Sequence, residues 1–187
     1  MRIISGRFKG KKILQPKNKQ TRPLKDLTKE SIFNILNHSN KFKISIENSI
    51  VLDLFSGVGS FGLECLSRGA KHVTFVENYS GVLPILKNNL NNLNISEKYK
   101  IIEEDLMSNF PIKKIRQKFN IIFLDPPYKE KRLSNIIDNI FREKILNKNG
   151  VIVIHRHKKE NDEFSKNFKI LDEKKYGISK ILFGTLK

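Results

Sequence analysis

Apolar positions along the chain change texture near residue 50. Beyond it, short, largely apolar runs alternate with stretches of helical spacing. Residues 50–54 form the first such run, and a glycine-containing turn follows it. A run of that length reads as a strand buried on both faces. The same pattern predicts strands at 72–77, 99–103, 119–124 and 150–155, with helices at 60–68, 80–92 and 132–141. Pro84 is compatible with the second of these helices only inside its first turn, where the missing N–H is not needed. Residues 168–187 read as two strands around Lys175-Tyr176-Gly177-Ile178. Strands alternating with helices predict the α/β class: a Rossmann-like, mostly parallel, seven-stranded sheet. The closing β-hairpin would add an antiparallel strand at its edge.

Before residue 50 the pattern is looser. Residues 2–15 alternate β-prone stretches with Gly6 and Gly10, predicting a basic hairpin. A helix is predicted from Asp26, with Leu27, Ile32, Phe33, Ile35 and Leu36 as its apolar face. The expected organisation is an extension of hairpin and helix over 1–45, followed by the α/β domain over 46–187.

Composition narrows the class. Of 187 residues, 39% are hydrophobic, enough for one core. No run approaches the roughly 20 apolar residues of a membrane span, and no signal-peptide stretch opens the chain. A cytoplasmic protein without membrane attachment is expected. A single cysteine, Cys65, precludes an internal disulfide, and no metal-ligand cluster appears. The net charge is +17 and unevenly spread. Residues 1–30 carry a net +8 and 111–187 a net +10, while 50–110 carry −2. Basic flanks around an acidic middle point to a nucleic-acid partner.

Two loops carry candidate chemistry. After the first strand comes Asp53-Leu54-Phe55-Ser56-Gly57-Val58-Gly59-Ser60. Gly57, Gly59 and Gly62 match the dinucleotide spacing G-x-G-x-x-G literally, so a nicotinamide or flavin site must be weighed. An acid placed before the glycines opposes it, because a carboxylate at that helix entrance repels a pyrophosphate. It attracts an ammonium group instead. S-adenosylmethionine carries an ammonium and a sulfonium and no phosphate, so the charge order selects it. Glu77, at the end of the second strand, is placed for ribose hydroxyls. Asp105 is placed for the adenine amine, with Leu106 beside the ring. With Phe55, Gly57 and Gly59 from the loop, these make the expected cofactor set.

The second loop is Asp125-Pro126-Pro127-Tyr128, directly after a buried strand. Its prolines stiffen it and donate nothing, so it offers acceptors: the Asp125 carboxylate and the Pro126 carbonyl. An exocyclic base amine has two N–H bonds to give them, which would aim its lone pair at a sulfonium methyl. Tyr128 offers a stacking face. Asp125, Pro126 and Tyr128 are therefore the expected catalytic residues. Carbon methylation of a pyrimidine commonly needs a thiolate, and Cys65 lies inside a helix with a packing role expected.

These motifs resemble those of the bacterial 16S rRNA guanine-N2 methyltransferases of the RsmD type. The resemblance rests on Arg2-Ile3-Ile4-Ser5-Gly6-Arg7-Phe8-Lys9-Gly10, on Thr21-Arg22-Pro23 with Asp26 and Glu30, and on Asp53–Gly59. Gly62-Leu63-Glu64, Asp125–Tyr128 and Tyr176-Gly177 complete it. It implies a monomer that makes one N2-methylguanine in 16S rRNA of the 30S subunit or its assembly intermediates. It also implies substrate contacts from Arg7, Lys9, Arg22 and Pro127. The family usually has Arg where Leu27 and Lys29 stand, and often an acid where His155 stands. The rivals are a DNA adenine-N6 methyltransferase and a non-catalytic RNA-binding assembly factor.

Overall fold

The structure is a computed structural model and describes residues 1–16, 24–108, 110–115, 117–127 and 130–187. Among the described residues, four α-helices, α1 (Asp26–His38), α2 (Ser60–Ser67), α3 (Leu83–Asn91) and α4 (Leu133–Arg142), accompany a seven-stranded sheet. Its strands are β1 (Ile50–Leu54), β2 (His72–Val76), β3 (Tyr99–Ile102), β4 (Phe119–Leu124), β5 (Leu146–His157), β6 (Phe168–Tyr176) and β7 (Ser179–Leu186). They lie in the order β3-β2-β1-β4-β5-β7-β6. β1 to β5 pair in parallel, and β7 enters antiparallel between β5 and the edge strand β6. The predicted class and the antiparallel closing hairpin are both observed.

Strand parity sorts the core into two faces. Odd residues Val51, Val73, Phe75, Ile121, Phe123, Val151 and Val153 join Phe33 of α1, Phe61 of α2 and Leu86 of α3. Even residues Leu52, Leu54, Val76, Ile122, Leu124, Ile152 and Ile154 join Leu133, Ile136, Ile137 and Ile140 of α4. Phe61 links helix to sheet, with its ring 5.1 Å from Phe33 and 4.1 Å from Phe123. α2 comes this close to β2 because residue 62 is glycine. A Cβ there would meet the Phe75 ring at 2.3 Å. Pro84 sits in the first turn of α3, as its chemistry requires.

Three expectations change. Residues 2–12 make one isolated antiparallel bridge, Arg2 with Lys12, rather than two strands. What fixes this segment is α2. Buried Glu64 accepts the backbone N–H of Ile4 at 2.8 Å and of Ser5 at 3.0 Å, and Ser67 Oγ accepts that of Phe8 at 2.9 Å. Ile3, Phe8 and Ile13 enter the same core as the sheet. Secondly, Leu27 is 79% exposed rather than on the apolar face. The buried face of α1 is Thr28 with Lys29, Ile32, Phe33 and Leu36, the last four in the i, i+3, i+4, i+7 phase, which leaves residue 27 outside. Thirdly, β5 begins at Leu146 rather than 150, through a register irregularity opposite Phe119 and Ile121.

Candidate active site

β1 sits between β2 and β4, so strand order reverses there and a crevice opens beyond the carboxyl ends. A cavity of about 750 Å³ occupies it, within the range of small-molecule sites. Asp53, Glu77, Asp105, Asp125 and Glu130 line it, and none of its described lining residues is Lys or Arg. An acidic cavity of this kind favours a cationic ligand and opposes a pyrophosphate.

Asp53 is the penultimate residue of β1 and is 1% exposed. Its Oδ2 accepts the Gly62 N–H at 2.9 Å, which ties it to the first turn of α2. Its Oδ1 is buried without a hydrogen-bond partner. Such an orphan is costly in a free protein and marks where a ligand donor belongs. Burial pushes the Asp53 carboxyl well above its ordinary value, and the Asp125 and Glu77 carboxylates push the same way, against the Gly62 hydrogen bond.

Glu77 is fixed by backbone. Its Oε2 accepts from Gly57 N–H at 2.7 Å, and its Oε1 from Asn78 and Tyr79 N–H at 2.9 and 2.8 Å. The glycine loop and the end of β2 thereby become one wall. Gly57 has φ 54°, in the left-handed region that glycine adopts cheaply. Asp105 faces the cavity while its Oδ1 accepts the Met107 N–H at 2.9 Å.

Asp125 follows the last rung of β4, where Leu124 is level with Ile154 of β5. Its neighbour on the same face is His155, with Nδ1 2.8 Å from Asp125 Oδ1. A carboxylate only accepts, so His155 Nδ1 carries the proton. His155 Nε2 lies 3.0 Å from Ser179 Oγ at the start of β7. On the opposite parity, Arg156 is 1% exposed. It donates to the carbonyls of Pro127 at 3.2 Å and Glu130 at 2.9 Å. Its Nε is 3.0 Å from both oxygens of Asp162.

Of the residues expected from sequence, Asp53, Phe55, Gly57, Glu77, Asp105, Asp125, Pro126 and Pro127 all line this one cavity. Gly59 stands behind it as the N-cap of α2, at φ 84°, where a Cβ would lie 2.6 Å from Leu86. Leu106 turns into the α4-side core, and Met107 takes its place in the lining. Arg7 and Lys9 are exposed beside the C-terminal end of α2, where the Arg7 N–H bonds the Ser67 carbonyl, and they are not among the lining residues. The other end of the segment approaches the cavity: Met1 Sδ accepts from Ser60, a lining residue. Tyr128 and the Thr21-Arg22-Pro23 block lie outside the described residues. Cys65 is buried, and burial pushes its thiol well above its ordinary value, which fits a packing role.

Sequence reasoning missed Leu24, Tyr79, Val82 and Glu130 as lining residues, and His155 and Arg156 as partners of the Asp125 loop. Polar residues closing an otherwise apolar strand at the sheet's carboxyl edge were the available signal.

Comparison with known proteins covers almost the whole chain. The family profile described as conserved hypothetical protein 95 matches residues 1–185. Ribosomal RNA small subunit methyltransferase D of Haemophilus influenzae is 33% identical over 179 residues, 95% of this chain and 90% of that protein. The protein of the same name from Buchnera aphidicola subsp. Acyrthosiphon pisum is 34% identical over 173 residues, 92% and 86% of the two chains. The solved structure of yhhF from Escherichia coli superposes with a TM-score of 0.80 at 27% identity, covering 100% and 98%.

Proposed function

The chain belongs to the conserved hypothetical protein 95 family of RsmD-type methyltransferases, and from that premise we propose that it methylates the exocyclic N2 amine of a guanine in 16S rRNA. The donor is S-adenosylmethionine. When bound, it supplies a methyl group on a sulfonium, already activated for displacement. The single observation that carries the donor is Asp53 Oδ1, a buried acceptor without a partner at the head of an acidic cavity. An ammonium satisfies it, and a second positive charge suits the remaining carboxylates.

Each residue then has a task. Asp53 holds the ammonium. Glu77, preset by three backbone N–H groups, presents its remaining lone pairs to the ribose hydroxyls. Asp105 takes the adenine amine, with Phe55 and Met107 against the apolar parts of the ligand. Asp125 and the Pro126 carbonyl accept the two N–H bonds of the target amine, and Tyr128 stacks on the base. The chain's contribution is alignment and charge, which can supply roughly 7–11 kcal/mol of a barrier. Asp125 has no need to take a proton beforehand, because the amine becomes acidic only as the new bond forms.

The basic extension over residues 1–45, with Arg7, Lys9 and Arg22, contacts the RNA of the 30S subunit or its assembly intermediates. Its exposed lysines and arginines suit phosphates, and the acid-lined cavity leaves that work to the periphery. The test is incubation with labelled cofactor and 30S particles, naked 16S rRNA or DNA, then mass mapping of the modified nucleoside. N2-methylguanine from the particles supports the proposal. Label in N6-methyladenine of DNA, or in no nucleic acid, overturns it.

A further inference from the structure

We infer that His155 and Arg156, consecutive residues of β5, form a two-sided clamp on Asp125, Pro127 and Glu130 that positions the Asp125–Pro127 turn for transfer. The inference rests on the methylation proposal for its purpose, and on geometry for its existence.

Neighbouring strand residues project to opposite faces of a sheet. His155 has the parity of the α2-side core, and Arg156 that of the α4-side core. The loop after β4 leaves the sheet between them. On one side His155 Nδ1–H donates to Asp125 Oδ1 at 2.8 Å, and Ser179 Oγ, 3.0 Å from Nε2, fixes the ring's other edge. On the other side the Arg156 fork grips the Pro127 and Glu130 carbonyls, while Asp162 holds the guanidinium. His155 is 4% exposed and Arg156 1%, so water competes little for either contact.

An Asp–His–Ser chain commonly serves a reactive serine. Here the order of access is reversed. Asp125 and His155 line the cavity, whereas Ser179 is buried at a strand start and is not among the lining residues. The chain therefore works backwards, from a buried hydroxyl through an imidazole to the carboxylate that meets substrate. One Asp125 oxygen is immobilised by the protein, and the carboxylate's remaining lone pairs face the amine. Arg156 does the same for backbone. With the Pro127 and Glu130 carbonyls held, the Pro126 carbonyl between Asp125 and Pro127 is the acceptor kept for substrate. Pro126 and Pro127 have no N–H to give, so beside the Asp125 N–H bond to the Leu54 carbonyl at 3.3 Å and the Glu130 N–H bond to the Pro127 carbonyl at 2.9 Å, β5 supplies further bracing through its side chains. Both are positioning residues.

Four variants test this: His155→Asn, His155→Gln, His155→Ala and Arg156→Lys. The asparagine amide occupies the place of Nδ1 and can still donate to Asp125, whereas the glutamine amide occupies the place of Nε2 and reaches towards Ser179. With 30S particles as substrate, His155→Ala and His155→Gln are expected to lower kcat by about a hundredfold, the penalty of a misplacement of about 1 Å. His155→Asn is expected to recover most of it, with cofactor affinity unchanged throughout. Equal activity of the Asn and Gln variants, or full activity of the alanine variant, overturns the inference, since a merely structural ring would not distinguish them. Arg156→Lys loses the planar fork and is expected to lower kcat by about tenfold. Amide hydrogen exchange of the chain without substrate is the second readout. Faster exchange confined to the segment around residues 125–132 in Arg156→Lys supports the clamp, and unchanged or global exchange defeats it. A wild-type chain inert towards every RNA sinks the methylation proposal alone, and exchange then decides the clamp.

Discussion

Lys29 Nζ and Glu64 Oε2 stand 3.6 Å apart with neither side chain exposed. Lys29 also donates to the Arg2 carbonyl at 2.7 Å, and Glu64 takes the Ile4 and Ser5 N–H groups and the Arg68 guanidinium. The pair joins the basic N-terminal segment, α1 and α2 through buried charge. Burial holds the Lys29 amine below its ordinary value, and Glu64 opposes that shift. A buried cation at this position is a packing element of the extension rather than a contact to a base.

Removing one partner strands the other. Glu64→Ala is expected to destabilise the chain by about 3–5 kcal/mol, the usual penalty for an uncompensated buried charge. Urea unfolding checks this. A loss below about 1 kcal/mol, as for exposed pairs, would show that water reaches Lys29.

Gly62→Ala drives a methyl group into the Phe75 ring. Overpacking of this kind costs about 1–3 kcal/mol. Because Asp53 Oδ2 is bonded to the Gly62 N–H, displacement of α2 also moves the Asp53 carboxylate, the group proposed to hold the cofactor. Both thermal stability and cofactor affinity should therefore fall, and a drop in stability alone would separate the two.

Asp53 sets a pH dependence in the free chain. Its folded value is raised above the ordinary 3.8, so the folded state binds the proton more tightly than the unfolded state. The stability it contributes is fully present below that ordinary value and is lost as pH climbs through the raised one. Melting curves of the wild type minus those of Asp53→Asn should show this fall with rising pH. If the proposed pairing of its ammonium with the ionised carboxylate holds, added S-adenosylmethionine should shrink it. A difference that is flat with pH would contradict the orphaned-acceptor account.

Much of this was legible in the sequence, because the strands of the parallel sheet are built on short apolar stretches and each expected acid stands near or just beyond a strand's carboxyl end. Asp53, Glu77, Asp105 and Asp125 converge for that reason. The N-terminal hairpin was less legible because its shape is imposed by Glu64 and Ser67, about sixty residues away. Leu27 is apolar yet exposed because its place in the helical phase lies off the buried stripe, and phase gives the buried place to Lys29. His155 and Arg156 depend on the register of β5 against β4, which includes an irregularity that no periodicity reveals.

The proposed contact between the extension and RNA would carry a salt signature. Lys9, Lys11 and Lys12 are exposed, and Lys11 Nζ reaches the Asn92 carbonyl at 2.9 Å. Neutralising all three should weaken RNA binding and flatten its dependence on log salt by about 0.7–0.9 for each phosphate no longer paired with a cation. An unchanged slope would return their charge to composition.

The most direct measurement is methyl transfer by Asp125→Ala, scored beside its affinity for S-adenosylmethionine by calorimetry. Loss of transfer to 30S particles by about a hundredfold or more, with cofactor affinity retained, is the expected result. Transfer that proceeds at the wild-type rate would contradict the account at its centre.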